Sequence, residues 1–147
     1  HALEHMMFKG TKLHPKDSYS ELISQHGGQD NAFTTEDFTA YYAETDAAKL
    51  EMVLELEADR MANLIVSAED FAKEKKVVLE ERRLRTDDNP QQLTYERFNA
   101  TAFVSSPYQH PVVGWAHDIE QLTAQDLANW YQAFYGPDNA TLVVVGH

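Results

Sequence analysis

The chain has 147 residues, 43% of them hydrophobic, no cysteine and a formal net charge of −12. This is the length and apolar share of one globular domain able to bury a core, and it rules out disulfides and cysteine metal ligands. No apolar run approaches the ~20 residues of a membrane span, and so acidic a chain lacks the basic footprint that nucleic acid requires. In chain order, residues 1–9 read as a short helix ended by Gly10, and Thr11–Lys16 as a loop. A helix from Ser18 to Gln25 is stopped by His26-Gly27-Gly28. Two β segments follow, near Asn31–Thr35 and Phe38–Glu44. A long amphipathic helix over Ala47–Val66 should turn Leu50, Val53, Leu54, Met61, Leu64 and Ile65 inward. Residues 67–88 form the next helix, with Ser67 as its N-cap and Asn89-Pro90 as its stop. Gln91–Phe103 reads as helix, and Val104–Asp118 as a long loop that packs Trp115 against the body. Thr123 with Asp126 opens a helix to about Tyr135, Gly136–Asn139 turns, and Ala140–Val145 reads as a central strand. The expected class is α+β: a mainly antiparallel sheet with helices on one face.

The chemistry concentrates in His1-Ala2-Leu3-Glu4-His5, an H-x-x-E-H pattern. On a helix His1 and His5 stand at i and i+4, so both imidazoles project from one face, with Glu4 beside them. Two neutral imidazoles suit zinc, and a carboxylate next to a metal-activated water can accept its proton. The order is that of the inverted zinc-peptidase motif. A third ligand is needed. The 67–88 helix has an apolar stripe of Phe71, Val77, Val78 and Leu84, and Glu74 and Glu81 lie on it, seven residues apart. Carboxylates on a core-facing stripe are costly unless paired or metal-bound. Either they form buried salt bridges, or Glu81 is the third ligand and Glu74 supports the site. Lys73, Lys75, Lys76, Arg82 and Arg83 are assigned to the solvated face.

These residues, with Glu81 lying 76 positions beyond His5, resemble the pitrilysin/insulinase family of zinc metallopeptidases. The resemblance continues through Gly27–Thr35, Thr39–Tyr42, Tyr135–Asn139 and Thr141–Gly146. It implies that His1, His5 and Glu81 bind Zn²⁺, that Glu4 is the general base, and that Glu74 is the second carboxylate. It also implies that Asn31 and Ala32 lie on the edge strand that pairs with an extended peptide substrate. Physically, an unpaired edge is a template for a peptide backbone, although the same segment can be an ordinary hairpin strand. An upstream strand and a homologous second domain or subunit, both outside this chain, are further expectations, with residues 1–147 forming a single partial N-terminal domain. The activity implied is that of a zinc-dependent endopeptidase. The alternatives are a non-catalytic family-like subunit for peptide binding or assembly, and a structural zinc site. The first usually loses the motif and the second usually has four protein ligands, whereas this chain keeps the motif and offers three. His14, His26, His110, His117 and His147 have no helix-spaced partners and read as surface or turn residues. Tyr41, Tyr42, Trp130, Tyr131, Phe134 and Tyr135 read as core and sheet packing.

Overall fold

The computed structural model describes residues 1–146. Seven α-helices and two strands occur in the order α1 (Ala2–Met6), α2 (Ser18–Gln25), β1 (Gln29–Thr34), β2 (Thr39–Glu44), α3 (Leu50–Asn63), α4 (Ala68–Arg82), α5 (Pro90–Ala102), α6 (Ala116–Gln121) and α7 (Ala124–Phe134). The strands form one antiparallel hairpin, with Asn31 opposite Tyr42 and Ala32 opposite Tyr41. The class is α+β as expected, with a sheet of two strands among the described residues.

Local chemistry accounts for most boundaries. Ser67 caps α4 by accepting the Asp70 amide at 3.0 Å, and Asn89 caps α5 with Pro90 in its first turn. Thr123 and Asp126 form a reciprocal capping box on α7. Gly10 has φ +99°, and a Cβ there would lie 2.6 Å from the His14 carbonyl oxygen. Only glycine allows the chain to double back at that point.

Two apolar clusters organise the domain. Leu3, Met6 and Met7 of the first segment pack with Leu64, Phe71 and Leu127, joining α1 to α4 and α7. Tyr19, Ile23 and Leu56 form the second cluster, between α2 and α3. Arg60 is buried between them, its guanidinium stacked on Tyr19 at 4.1 Å and Tyr41 at 4.6 Å. Burial pushes the Tyr19 and Tyr41 phenols above their ordinary pKa, so both remain neutral hydroxyls. Tyr131 closes the end of α3, accepting the Leu64 amide and donating to the Met61 carbonyl at 2.6 Å.

Several expectations are corrected. Leu50 and Ile65 are 40% and 42% exposed: one lies in the first turn of α3 and the other beyond its end, so neither follows the inward face, which Leu56 occupies. On α4 Phe71, Val78 and Arg82 are buried and Glu74 and Glu81 are half-buried on the same stripe, with Val77 and Leu84 exposed outside it. This is the 3–4 spacing of a helix face, and Val77 lies about 100° off it. Residues 104–118 are not all loop, since the buried Ile119 anchors α6. Trp115 is half-buried and donates to His110 Nδ1 at 3.1 Å. Tyr42, Trp130 and Phe134 are largely exposed, whereas Tyr41, Tyr131 and Tyr135 do pack against the core. Ala140–Val145 forms no strand, and Leu142, Val143, Val144 and Val145 are all exposed. A strand needs a neighbour to receive its ladder hydrogen bonds, and none of the described residues supplies one. No helix among the described residues is long and apolar enough to cross a membrane.

Candidate metal centre

His1 and, on α1, His5 face α4, where both meet Glu81, while Glu4 of α1 meets β1. One helical turn brings the imidazoles together, with ring centroids 4.9 Å apart and planes at 71°. From α4, Glu81 Oε2 lies 3.3 Å from His5 Nε2 and 3.5 Å from His1 Nε2. Among the described residues, His1, His5 and Glu81 are the one group whose donor atoms converge, all within 4.8 Å of each other. Glu74 is close by but plays a different part: its Oε2 faces Nδ1 of His5 at 3.3 Å.

The donor chemistry fits a metal ion. Carboxylates flank both ring nitrogens of His5, and the neutral tautomer that donates Nδ1–H to Glu74 presents a bare Nε2 on the Glu81 side. In that tautomer two lone pairs face one another, an arrangement that a metal cation between them would relieve. Nδ1 of His1 is buried without a hydrogen-bond partner in the chain. Nitrogen and oxygen donors without sulfur suit a divalent first-row metal, and three protein ligands leave a position open.

Three residues that the sequence reading passed over complete the surroundings. Lys9 Nζ binds the other Glu74 oxygen at 2.7 Å, and Arg85 Nη1 binds the other Glu81 oxygen at 2.7 Å. Each lies four positions after a site residue, a spacing that could have revealed it. Thr34 of β1 donates its hydroxyl to Glu4 Oε2; nothing local in the sequence signals that contact. Arg82, assigned to the solvated face, is instead buried and holds Glu96 of α5 through paired hydrogen bonds of 2.8 and 2.9 Å.

The centre opens into a cleft of about 730 Å³. Asn31, Ala32 and Phe33 of β1 form one wall, and Tyr95, Asn99 and the 108–113 segment line the other side. β1 pairs with β2 on one edge and with no strand among the described residues on the other. The Ala32 amide donates to Asn31 Oδ1 at 2.9 Å. Across the cleft mouth, the Tyr108 hydroxyl bonds Asp37 at 2.8 Å. The remaining histidines join no such group. His14 bonds the buried Asp59 at 2.8 Å, His26 bonds the Leu22 carbonyl, and His117 is exposed; His147 lies outside the described residues.

The model of the insulinase family, peptidase family M16, matches residues 1–115. The chain belongs to this peptidase family. Among curated M16 relatives, a Helicobacter pylori protein named zinc protease PqqE is 39% identical over 146 residues. The alignment covers 99% of this chain and 33% of that protein. An uncharacterized zinc protease of Rickettsia felis is 32% identical over 147 residues, covering 100% of this chain and 35% of the relative. The chain thus spans about a third of the length of the curated relatives it matches. Among solved structures, a protease from Helicobacter pylori superposes with a TM-score of 0.92 at 38% identity, covering 95% of this chain and 33% of that one. Pitrilysin superposes at 0.74 with 23% identity, covering 97% and 16%, a likeness of fold.

Proposed function

We propose that this chain is the zinc-bearing part of an M16 endopeptidase that hydrolyses peptides or small unfolded proteins. The observation that carries the reading is the convergence of His1 Nε2, His5 Nε2 and Glu81 Oε2, with Glu4 in the same cleft. His1, His5 and Glu81 hold Zn²⁺ in this reading, in keeping with the names of the relatives. When bound, zinc lowers the pKa of a water molecule and polarises a scissile carbonyl. The chain's own groups do the rest. Glu4, fixed at Oε2 by the Thr34 hydroxyl, takes the proton of the attacking water and delivers it to the departing amide nitrogen. Glu74 orients His5 through Nδ1. The free edge of β1 at Asn31 and Ala32 pairs with the backbone of an extended peptide, recognising main chain rather than side chains. Relatives about three times as long support a homologous second domain that holds the peptide from the opposite side.

Glu4→Gln tests the assignment. In the full-length protein, elemental analysis should find zinc at this centre in wild type and variant alike, while cleavage of an unstructured peptide is abolished in the variant. Glu81→Gln should lose the metal as well. Cleavage that survives in Glu4→Gln refutes its role as base; wild-type protein free of zinc refutes the centre.

A further inference from the structure

We propose that Lys9 is a positioning residue of the metal centre, acting through Glu74 on His5. The inference rests on the reading of His1, His5 and Glu81 as zinc ligands. Glu74 divides its two oxygens between two tasks: Oε2 receives His5 Nδ1–H at 3.3 Å, and Oε1 receives Lys9 Nζ at 2.7 Å. The Lys9 and Glu74 side chains are only 16% and 14% exposed. A carboxylate so far withdrawn from water is costly to hold in place without a cation paired to it. Lys9 supplies that cation and clamps the rotamer in which Oε2 meets the imidazole. The ring of His5 is thereby held with Nδ1 against Glu74 and Nε2 toward Glu81.

Backbone geometry puts Lys9 in reach. Its amide closes the turn after α1 on the Met6 carbonyl at 2.9 Å, and Gly10 then reverses the chain. The other cation beside the ligands, Arg85, differs in kind. Its side chain is 78% exposed where it meets Glu81, so solvent screens the pair and it contributes little. Burial makes Lys9 the cation that matters.

The test is zinc affinity of the full-length protein, by competition with a chromophoric chelator, for wild type, Lys9→Met, Lys9→Arg, Glu74→Gln and the Lys9→Met/Glu74→Gln double variant. Thermal unfolding of each metal-free form establishes that it is folded. Lys9→Met should bind zinc roughly tenfold more weakly, the low end of what residues supporting a ligand contribute. Lys9→Arg should recover most of the loss. In the Glu74→Gln background, removing Lys9 should change nothing further, because the residue acts through that carboxylate. If Lys9→Met does not fold, Lys9→Gln takes its place. Wild-type affinity in Lys9→Met overturns the proposal, as does an additive loss in the double variant or failure of Arg to restore binding. Wild-type protein that binds no zinc overturns the ligand assignment itself and this inference with it.

Discussion

Replacing Glu96 by Gln removes one charge from the Arg82–Glu96 pair while nearly preserving volume, so the perturbation is electrostatic and leaves no cavity. The two side chains are 6% and 8% exposed and share two short hydrogen bonds. The carboxylate also holds the Arg82 guanidinium above its ordinary pKa, chiefly through that hydrogen bonding; without it Arg82 still stays charged, because a guanidinium keeps its proton in proteins on its own account. Stranding one member of a buried pair costs about 3–5 kcal/mol. Arg82 keeps the Gly114 carbonyl at 2.8 Å and Asp87, 41% exposed, at 3.2 Å, which places the expected loss near the lower figure. At this chain length each kcal/mol moves Tm by roughly 3 °C, giving a fall of about 9 °C in a circular dichroism melt. Replacing the pair together, Arg82→Met with Glu96→Leu, should recover most of the loss, since apolar packing then takes over from desolvated charge. A fall below about 2 °C in Glu96→Gln, or a double variant less stable than the single one, would refute this account of how α4 is fixed to α5.

Met6 is fully buried beneath the ligand pair, so Met6→Ala should cost about 2–5 kcal/mol in denaturant unfolding and weaken zinc binding by loosening α1; an unchanged unfolding midpoint would contradict the packing. Thr34→Val removes the hydroxyl that fixes Glu4. A lost hydrogen bond to a charged group, about 1.5 kcal/mol, should slow peptide cleavage roughly tenfold with zinc content unchanged, and an unaltered kcat would count against the contact. Burial raises the pKa of Asp59, but hydrogen bonds from Thr11, His14 and Asn63 outweigh it and hold the carboxyl below its ordinary 3.8. Its stabilisation is therefore complete above that unfolded-state value and is lost as pH falls through the lower folded one. Urea midpoints of the wild type should drop on acidification below about pH 4 more steeply than those of Asp59→Asn; parallel curves would exclude this residue as a source of acid lability.

The candidate centre was legible because its information is local. His1, Glu4 and His5 lie within a single turn, Glu74 and Glu81 are costly on a core-facing stripe, and the caps at Ser67 and Thr123 need only neighbours three residues away. What escaped depends on partners distant in sequence. Arg82 sits in a Lys- and Arg-rich run and reads as solvated until Glu96 arrives from the next helix. The apolar stretch at Ala140–Val145 has the composition of a strand, but a ladder is made by two chains' worth of backbone, and composition names only one. Thr34 reaches Glu4 through the hairpin's position over α1, which no periodicity encodes. Lys9 and Arg85 are a different kind of omission, since counting four residues on from His5 and Glu81 finds both.

Two of the three proposed ligands, His1 and His5, stand one helical turn apart at α1, and the third stands on α4. Leu3, Met6 and Met7 keep α1 wound by their anchorage in the core. The spacing of those two ligands therefore depends on the packing of that element against α4 and α7. Unwinding a single turn separates His1 from His5 while α3, α4 and α7 stay packed. Metal release would then follow local opening of that turn rather than unfolding of the domain, and the off-rate of the ion would serve as a clock for that opening.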